Sequence, residues 1–595
     1  MAYNHYILCC GGTGCESGKG DEIYRNLIAE AEKLGVKSQV QIVKTGCFGF
    51  CEQGPIVKVL PEESFYVLVK PEDAHEIIAE QIVKGREVPR LLYKEAGQKK
   101  RDVVEDIGFY QKQIRVVLRN CGVINPESID EYIARDGYAA LEKALFSMTP
   151  DQVIEELKTA GLRGRGGAGF PTWIKWNSTK GVQSDQKFVV CNADEGDPGA
   201  YMDRSTIEGD PHSVLEAMTI CGHTIGAKQG YIYIRAEYPL AVHRLEIAIQ
   251  QAKDYGLLGK SILGSDFDFD IEIRLGAGAF VCGEETALIK SLEGQRGMPI
   301  PKPPFPAYDG LWHKPTVINN VETWANIPVI LTKGGAWFAS IGTEKSKGTK
   351  VFALTGKVKN SGLVEVPMGT TLREIIFEIG GGIKGGKKFK GVQTGGPSGG
   401  ILTEKSLDLP IDFDTLTANG SMMGSGGMIV MDEDDCMVDV ARFYMEFCVD
   451  ESCGKCSPCR IGTTQILNLL NKIASGNGQE EDIDKLETIG KAMTKSSLCM
   501  LGGTAANPTL STIKNFREEY VEHIHAHTCR AGKCKALLRY EIIADKCKGC
   551  TLCAKKCPAN CISGSLKQPH VIDQTKCLKC GECLKNCKFG AIVKK

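Results

Sequence analysis

The sequence predicts a multidomain chain of α/β and α+β domains, and three observations carry that prediction. Its 595 residues suffice for about three to six domains of ordinary size. Its 26 cysteines gather towards the two ends of the chain. Its middle is glycine-rich, with apolar strand-like runs that end on carboxylate and amide side chains. The formal charge of −1, from 72 Lys and Arg against 73 Asp and Glu, offers no overall basic excess for nucleic acid. No apolar run is long enough to predict a transmembrane helix. The opening MAYNHYILCCGG lacks the basic, apolar and small-residue regions of a secretory signal, so a cytoplasmic location is expected. In such a chain the cysteines read as metal ligands rather than as a disulfide framework.

Residues 1–95 alternate strand, helix, strand, hairpin and helix, which predicts a thioredoxin-like layer. Cys10-x4-Cys15 and Cys47-x3-Cys51 fall on loops after the strands HYILC and VQIVKTG. Two thiolate pairs suit a [2Fe–2S] cluster, which needs two per iron. Cys9 is the alternative to Cys10, because adjacent strand residues point to opposite faces. A redox dithiol would need a C-x-x-C, which this segment lacks.

Residues 96–340 predict an α/β domain. The loop Gly164-Arg-Gly166-Gly167-Ala-Gly169-Phe170-Pro171 could bring bare backbone N–H groups close to a phosphate. The strand-like KFVVC runs into Asn192, Asp194, Glu195 and Asp197. Gly276, Gly278 and Gly283 precede Glu284, Glu285 and an amphipathic helix, and a later strand ends on Asn319, Asn320 and Thr323. Glycine turns with acidic and amide groups at strand ends describe a flavin and nucleotide pocket. No G-x-G-x-x-G stands in strand–turn–helix context, so an ordinary dinucleotide fold is not predicted. Residues 341–430 alternate strands with glycine turns as a ubiquitin-like β-grasp domain (SLBB) would, and read as a spacer without chemistry.

Residues 431–528 carry Cys453-x-x-Cys456-x-x-Cys459 and a remote Cys499 among helical patterns. Three thiolates in one loop and a distant fourth suit a [4Fe–4S] cube inside a helical bundle. Residues 529–595 repeat C-x-x-C-x-x-C-x-x-x-C, the bacterial two-cluster ferredoxin spacing, in which the fourth cysteine of each run serves the other cube. Cys547, Cys550, Cys553 and Cys587 would hold one cube; Cys577, Cys580, Cys583 and Cys557 would hold the other. Cys561 lies outside the pattern and reads as a buried apolar residue. His523-x5-Cys529-x4-Cys534 could bind one Zn²⁺. Its fourth donor is open, with Cys448 a candidate and His525 and His527 as alternates to His523; solvated histidines at a helix end are the competing reading. Cys121, Cys191, Cys221, Cys282 and Cys436 are expected to fill cores.

These motifs, in this order, resemble the NADH-oxidising flavoprotein subunit of respiratory complex I and of NAD-reducing hydrogenases. The fused N-terminal [2Fe–2S] and C-terminal two-cluster segments are similar to the beta subunit of electron-bifurcating [FeFe]-hydrogenases and related soluble complexes. The resemblance implies that Gly164, Gly166, Lys175, Asn192, Asp194, Glu195, Gly283, Glu284, Asn319, Asn320 and Thr323 cradle FMN. It implies that Phe170, Asp197, Glu285 and Phe305 contact the dinucleotide, with the two phenylalanines against adenine. Glu195 and Glu284 would be the catalytic positioners. Glu285 would face the adenine ribose and select NAD(H), unless it only caps the following helix. Trp173, Phe280 and Asp197 depart from the family's usual Gly, Tyr and Glu.

The implied activity is hydride exchange between NAD(H) and FMN, with single electrons passing through one [2Fe–2S] and three [4Fe–4S] clusters. The implied partners are soluble ferredoxin, a small [2Fe–2S] subunit and a hydrogenase catalytic subunit, in a hetero-oligomer of an anaerobe. A formate dehydrogenase, a transhydrogenase or a non-catalytic electron-wire role are the alternatives.

Overall fold

The computed structural model describes residues 3–94 and 107–594, so the predicted domain boundary at 95–96 lies outside the described residues. The chain divides into two compact units, one of residues 1–387 and 391–430, the other of 388–390 and 431–595.

In the first unit, β1 (His5–Cys10), β2 (Val40–Thr45), β3 (Val57–Leu60) and β4 (Ser64–Tyr66) form a sheet of order β2-β1-β3-β4. β1 pairs parallel with β2 and antiparallel with β3. Helix α1 (Gly20–Lys33) sets Ile23, Leu27 and Ala31 four residues apart along one stripe, packed in one core with Ile7, Cys9, Val57 and Val59. Asp21 and Glu22 in its first turn and Lys33 in its last complement the helix dipole. Because side chains alternate along β1, Cys9 enters this core and Cys10 points away from it.

A second sheet contains β5 (Phe188–Ala193), β6 (Gln229–Arg235), β7 (Asp270–Gly276) and β8 (Thr316–Asn320), all parallel, in the order β7-β6-β5-β8. The runs FVVC and YIYI are apolar without alternation, as strands covered on both faces require. Around them lie α2 (Pro150–Ala160), α3 (Thr172–Gly181), α4 (Met202–Gly209), α5 (Pro211–Ile225), α6 (Pro239–Asp254), α7 (Glu285–Leu292) and α8 (Val321–Lys333). From β5 the chain adds β6 and β7 on one side and β8 on the other. The strand order therefore switches beside β5, which opens a crevice at the carboxyl ends of β5 and β8.

A third, mixed sheet follows, of β9 (Thr349–Gly356), β10 (Gly362–Pro367), β11 (Phe389–Thr394), β12 (Ile401–Leu402) and β13 (Gly427–Asp432), ordered β10-β9-β13-β11-β12. A short π-helical segment, Glu374–Ile379, stands between β10 and β11.

The second unit starts with a bundle of α9 (Met437–Asp450), α10 (Ser457–Ala474), α11 (Glu480–Ser496) and α12 (Asn507–Val521). Its core takes residues at helical spacing: Val438, Ala441 and Met445 from α9, Ile466, Leu470 and Ile473 from α10. Two antiparallel ribbons end the chain, β14 (Tyr540–Ile542) with β17 (Ile592–Lys594) and β15 (Ile562–Ser563) with β16 (Val571–Ile572). The whole is the mixed α/β, several-sheet chain expected.

Candidate functional site

The crevice at the β5/β8 switch gathers most of the residues singled out above. Asn192 is next to last in β5; its amide donates to Gly283 O at 2.9 Å, and its Oδ1 accepts from Asp194 N at 3.1 Å. Both carboxylate oxygens of Glu195 accept backbone N–H groups, from Asp203 at 2.9 Å and Arg204 at 3.1 Å, at the start of α4. Asn320 ends β8, caps α8 by accepting from Glu322 N, and donates to the Asp203 carboxylate. Thr323 is fully buried, and its hydroxyl accepts from Arg165 N at 2.8 Å. It therefore holds the glycine loop in place. Lys175, on α3, reaches Glu285 at 2.9 Å and Ile318 O at 3.1 Å. Asn319 is buried at the end of β8.

Burial dominates the electrostatics. It pushes the Glu195 carboxyl up to about 7 and Asp197 up to about 6, and Asp203 moves the same way beside Glu195 and Glu322. Glu284 and Glu285 are adjacent in sequence but do different things. Glu284 is the N-cap of α7, its Oε2 accepting from Thr286 N at 2.9 Å and Ala287 N at 3.0 Å. Glu285 is clamped between Lys175 and Lys302, the latter at 2.6 Å, and these two cations hold it down at about 2 against the effect of burial. Capping thus falls to Glu284, leaving Glu285 as an ionised group flanked by two lysines.

Phe170 and Phe305 are 47% and 51% exposed, so both rings present a free face. Trp173 does not crowd the loop; it packs against the main core with Lys158 over its ring. Phe280 lies beside Gly196, in the turn before Gly283.

The third sheet proves not to be a mere spacer. Gly167, at φ +121°, sits so close to the Gly424 backbone that a Cβ would meet it at 3.2 Å. A Cβ on Gly169, at φ +63°, would meet the Phe413 ring at 2.8 Å. The glycine loop is therefore sealed from behind, and only glycine suits these two positions. Ser425 donates to Asp197 at 3.1 Å, and Lys350 forms a fully buried ion pair with Glu322 at the start of α8. Glycine–serine turns between strands carried no chemical signature in the sequence.

The cysteines form five further groups. Cys10, Cys15, Cys47 and Cys51 lie together: Cys10 interacts with Cys15 and Cys47, and Cys47 Sγ is 3.9 Å from Cys51 Sγ. Thr13, inside that loop, donates its N–H to Glu208 at the far end of α4, at 3.1 Å, while Tyr201 just before α4 is hydrogen-bonded to Cys51. The cysteine-bearing segment thus touches α4 at both ends, and the Glu195 carboxylate anchors the start of the same helix. In the second unit Cys459 interacts with Cys453, Cys456 and Cys499, close to the first turn of α10, where N–H groups favour negative charge. Nearer the C-terminus, one cavity is lined by Cys577, Cys580, Cys583 and Cys557, and a second by Cys547, Cys550, Cys553 and Cys587. Each three-cysteine loop faces the fourth cysteine of the other run.

The fifth group corrects two expectations. Cys436, His523, Cys529 and Cys534 are all buried, and their ligand atoms lie within 4.8 Å of one another. His523 Nε2 stands 3.4 Å from Cys436 Sγ and 3.2 Å from Cys534 Sγ, while its Nδ1 is bonded to Glu519 O at 2.7 Å. That outer hydrogen bond leaves Nε2 to the thiols. Cys436, expected to be core filling, supplies the fourth donor. Cys448, the expected candidate, is buried beside Cys459 instead, and His525 and His527 are exposed. Three thiols and one imidazole suit a closed structural zinc site.

Family models match four stretches of the chain: the Nuo51 FMN-binding domain at 157–329, the SLBB domain at 351–402, the NADH-ubiquinone oxidoreductase-F iron-sulfur binding region at 439–523, and a 4Fe-4S binding domain at 571–592. The NADP-reducing hydrogenase subunit HndC of Solidesulfovibrio fructosivorans is 59% identical over 484 residues, 81% of this chain and 98% of that one. An F-type subunit of the NADH-quinone oxidoreductase of Rhizobium meliloti is 47% identical over 414 residues, 70% of this chain and 98% of the relative. Among solved structures, an NAD+-reducing [NiFe]-hydrogenase in the H2-reduced state aligns with a TM-score of 0.62 at 28% identity, over 88% of this chain and 85% of that one.

Proposed function

The chain belongs to the family of FMN- and iron–sulfur-binding subunits shared by NADH-quinone oxidoreductases and NAD(P)-linked hydrogenases, and from that premise we propose that it is the NAD(H)-oxidising subunit of a soluble electron-bifurcating complex. Its class, an NAD(P)H oxidoreductase subunit of a hydrogenase-type assembly, follows from the family. The finer assignments are our own reading.

The observation that carries this reading is the convergence of Asn192, Asp194, Glu195, Gly283 and Asn320 on the carboxyl edge of the β5/β8 switch, beside a glycine loop sealed from behind. Those residues fit FMN: bare loop amides for its phosphate, amide and carboxylate groups for its polar ring edge. FMN, when bound, supplies the conversion between two-electron hydride transfer and one-electron transfer to clusters. The protein's part is positional. Glu195 spends both oxygens on the start of α4 and so fixes that helix between the crevice and the N-terminal thiols. Glu284 fixes the start of α7. Phe170 and Phe305 offer faces for an adenine ring.

Cys10, Cys15, Cys47 and Cys51 would hold one [2Fe–2S] cluster. Cys453, Cys456, Cys459 and Cys499, with the two crossed sets of the C-terminal repeat, would hold three [4Fe–4S] clusters. Cys436, His523, Cys529 and Cys534 would hold one Zn²⁺. We assign the 529–595 module to exchange with soluble ferredoxin. Fifteen Lys and Arg against four Asp and Glu make it strongly basic within an otherwise acidic chain, which suits an acidic partner. The remaining partners would be a catalytic subunit of [FeFe]-hydrogenase type and a small [2Fe–2S] subunit.

Glu285 favours NAD(H), because an ionised carboxylate beside the adenine ribose would repel a 2′-phosphate. NADP(H) is the second reading, favoured by the name of the HndC relative and by the two lysines that flank Glu285.

Acid extraction of the purified holoprotein tests the enzyme reading. About one FMN per chain is expected by fluorescence. Its absence would leave an electron-wire subunit as the better account.

A further inference from the structure

We propose that Cys561 is a reserve ligand of the cluster held by Cys577, Cys580 and Cys583, able to replace Cys557 at its fourth corner. Cys561 is 4% exposed, and its Sγ lies 3.4 Å from Cys557 Sγ. It interacts electrostatically with Cys577 as well, and it lines the same cavity as the four pattern cysteines. Five thiols therefore face a space in which a cube takes four.

Its position is rigid. Cys561 O accepts from Asp573 N at 2.7 Å, and the next residue, Ile562, pairs with Ile572 in the β15/β16 ribbon. The backbone that carries the thiol is thus held at the cavity wall by its pairing with the 571–573 strand.

The repeat supplies an internal control. Cys561 follows Cys557 by four residues, and the residue four after Cys587 is Ala591, which lines the other cavity and is 1% exposed. An alanine fills that place in one half, so packing alone does not call for a thiol in the other.

The exchange is balanced without a redox partner. The Fe–S bond to Cys557 breaks, one to Cys561 forms, and the Cys561 proton passes to the released Cys557 thiolate. The inference rests on reading residues 529–595 as a two-cluster module, and the test separates the two. Full-length wild-type protein and its C557A, C587A, C561A and C557A/C561A variants would be compared anaerobically by iron content and by EPR of the oxidised state.

Wild type lacking the clusters of this module would overturn the module reading itself. Given those clusters, C557A and C561A are each expected to keep wild-type iron and no [3Fe–4S] signal. C587A and the double variant are expected to lose about one to four irons per chain, or to show [3Fe–4S]. Three results would each overturn the inference: loss in C557A as large as in C587A, loss in C561A alone, or retention in the double variant.

Discussion

Glu284 and Glu285 illustrate how one position along a helix start changes a residue's task. Glu284 caps α7 through Oε2 and reaches Lys302 only through Oε1, whereas Glu285, one residue on, is held between Lys175 and Lys302. If Glu285 selects the dinucleotide, Glu285→Gln keeps NADH activity with an artificial acceptor and raises NADPH activity roughly tenfold or more, since the repelling charge goes and both lysines stay. Unchanged NADPH turnover in this variant would remove Glu285 from specificity, and wild type faster with NADPH than NADH would reverse the assignment.

Glu195 allows a second residue-scale prediction. Its folded value, about 7, lies above the ordinary 4.5, so the folded state binds the proton more tightly. The resulting stabilisation is present below about pH 4.5 and is lost as pH rises through 7. Glu195→Gln should therefore flatten the fall in thermal midpoint between pH 5 and 8, at a uniform loss of about 1 kcal/mol for one forfeited helix-start bond. A variant with the wild-type pH profile would show that another group carries this dependence.

At the scale of elements, what could be read in advance was local, and what could not was long-range. β5 and β8 of the second sheet were readable as apolar runs ending in acids and amides, and the C-terminal repeat as a fixed cysteine spacing. The back wall of the glycine loop was not readable, because Gly424 and Phe413 approach residues 167–169 from more than 240 positions away. Cys436 was hidden for the same reason: it precedes His523 by 87 residues, at the start of α9, with no neighbouring ligand to mark it. The four-residue site ties the beginning of the bundle to the segment leading into β14. Cys436→Ser should lose about one zinc per chain and make the stretch 523–540 more susceptible to protease, while Cys448→Ser should keep the zinc. The reverse pattern would restore Cys448 as the ligand. Iron-loaded protein without zinc would end the site.

For the molecule as a whole, a net charge of −1 conceals segregation: the last 67 residues are basic and the rest acidic in balance. Steering by such a module is screened by salt over a Debye length of about 8–10 Å. Electron transfer to an acidic ferredoxin should slow several-fold between 50 and 300 mM salt, while reduction of a neutral dye should change little. Equal salt dependence for both acceptors would place the ferredoxin contact elsewhere.

The central claim is that this chain joins one flavin crevice to four thiol-bound clusters. Iron, acid-labile sulfide and FMN measured together on anaerobically purified full-length protein test it most directly. The account predicts about 14 iron per chain, from one two-iron and three four-iron clusters, with matching sulfide and about one FMN. Iron near half that value, or protein with full iron and no FMN, would contradict it.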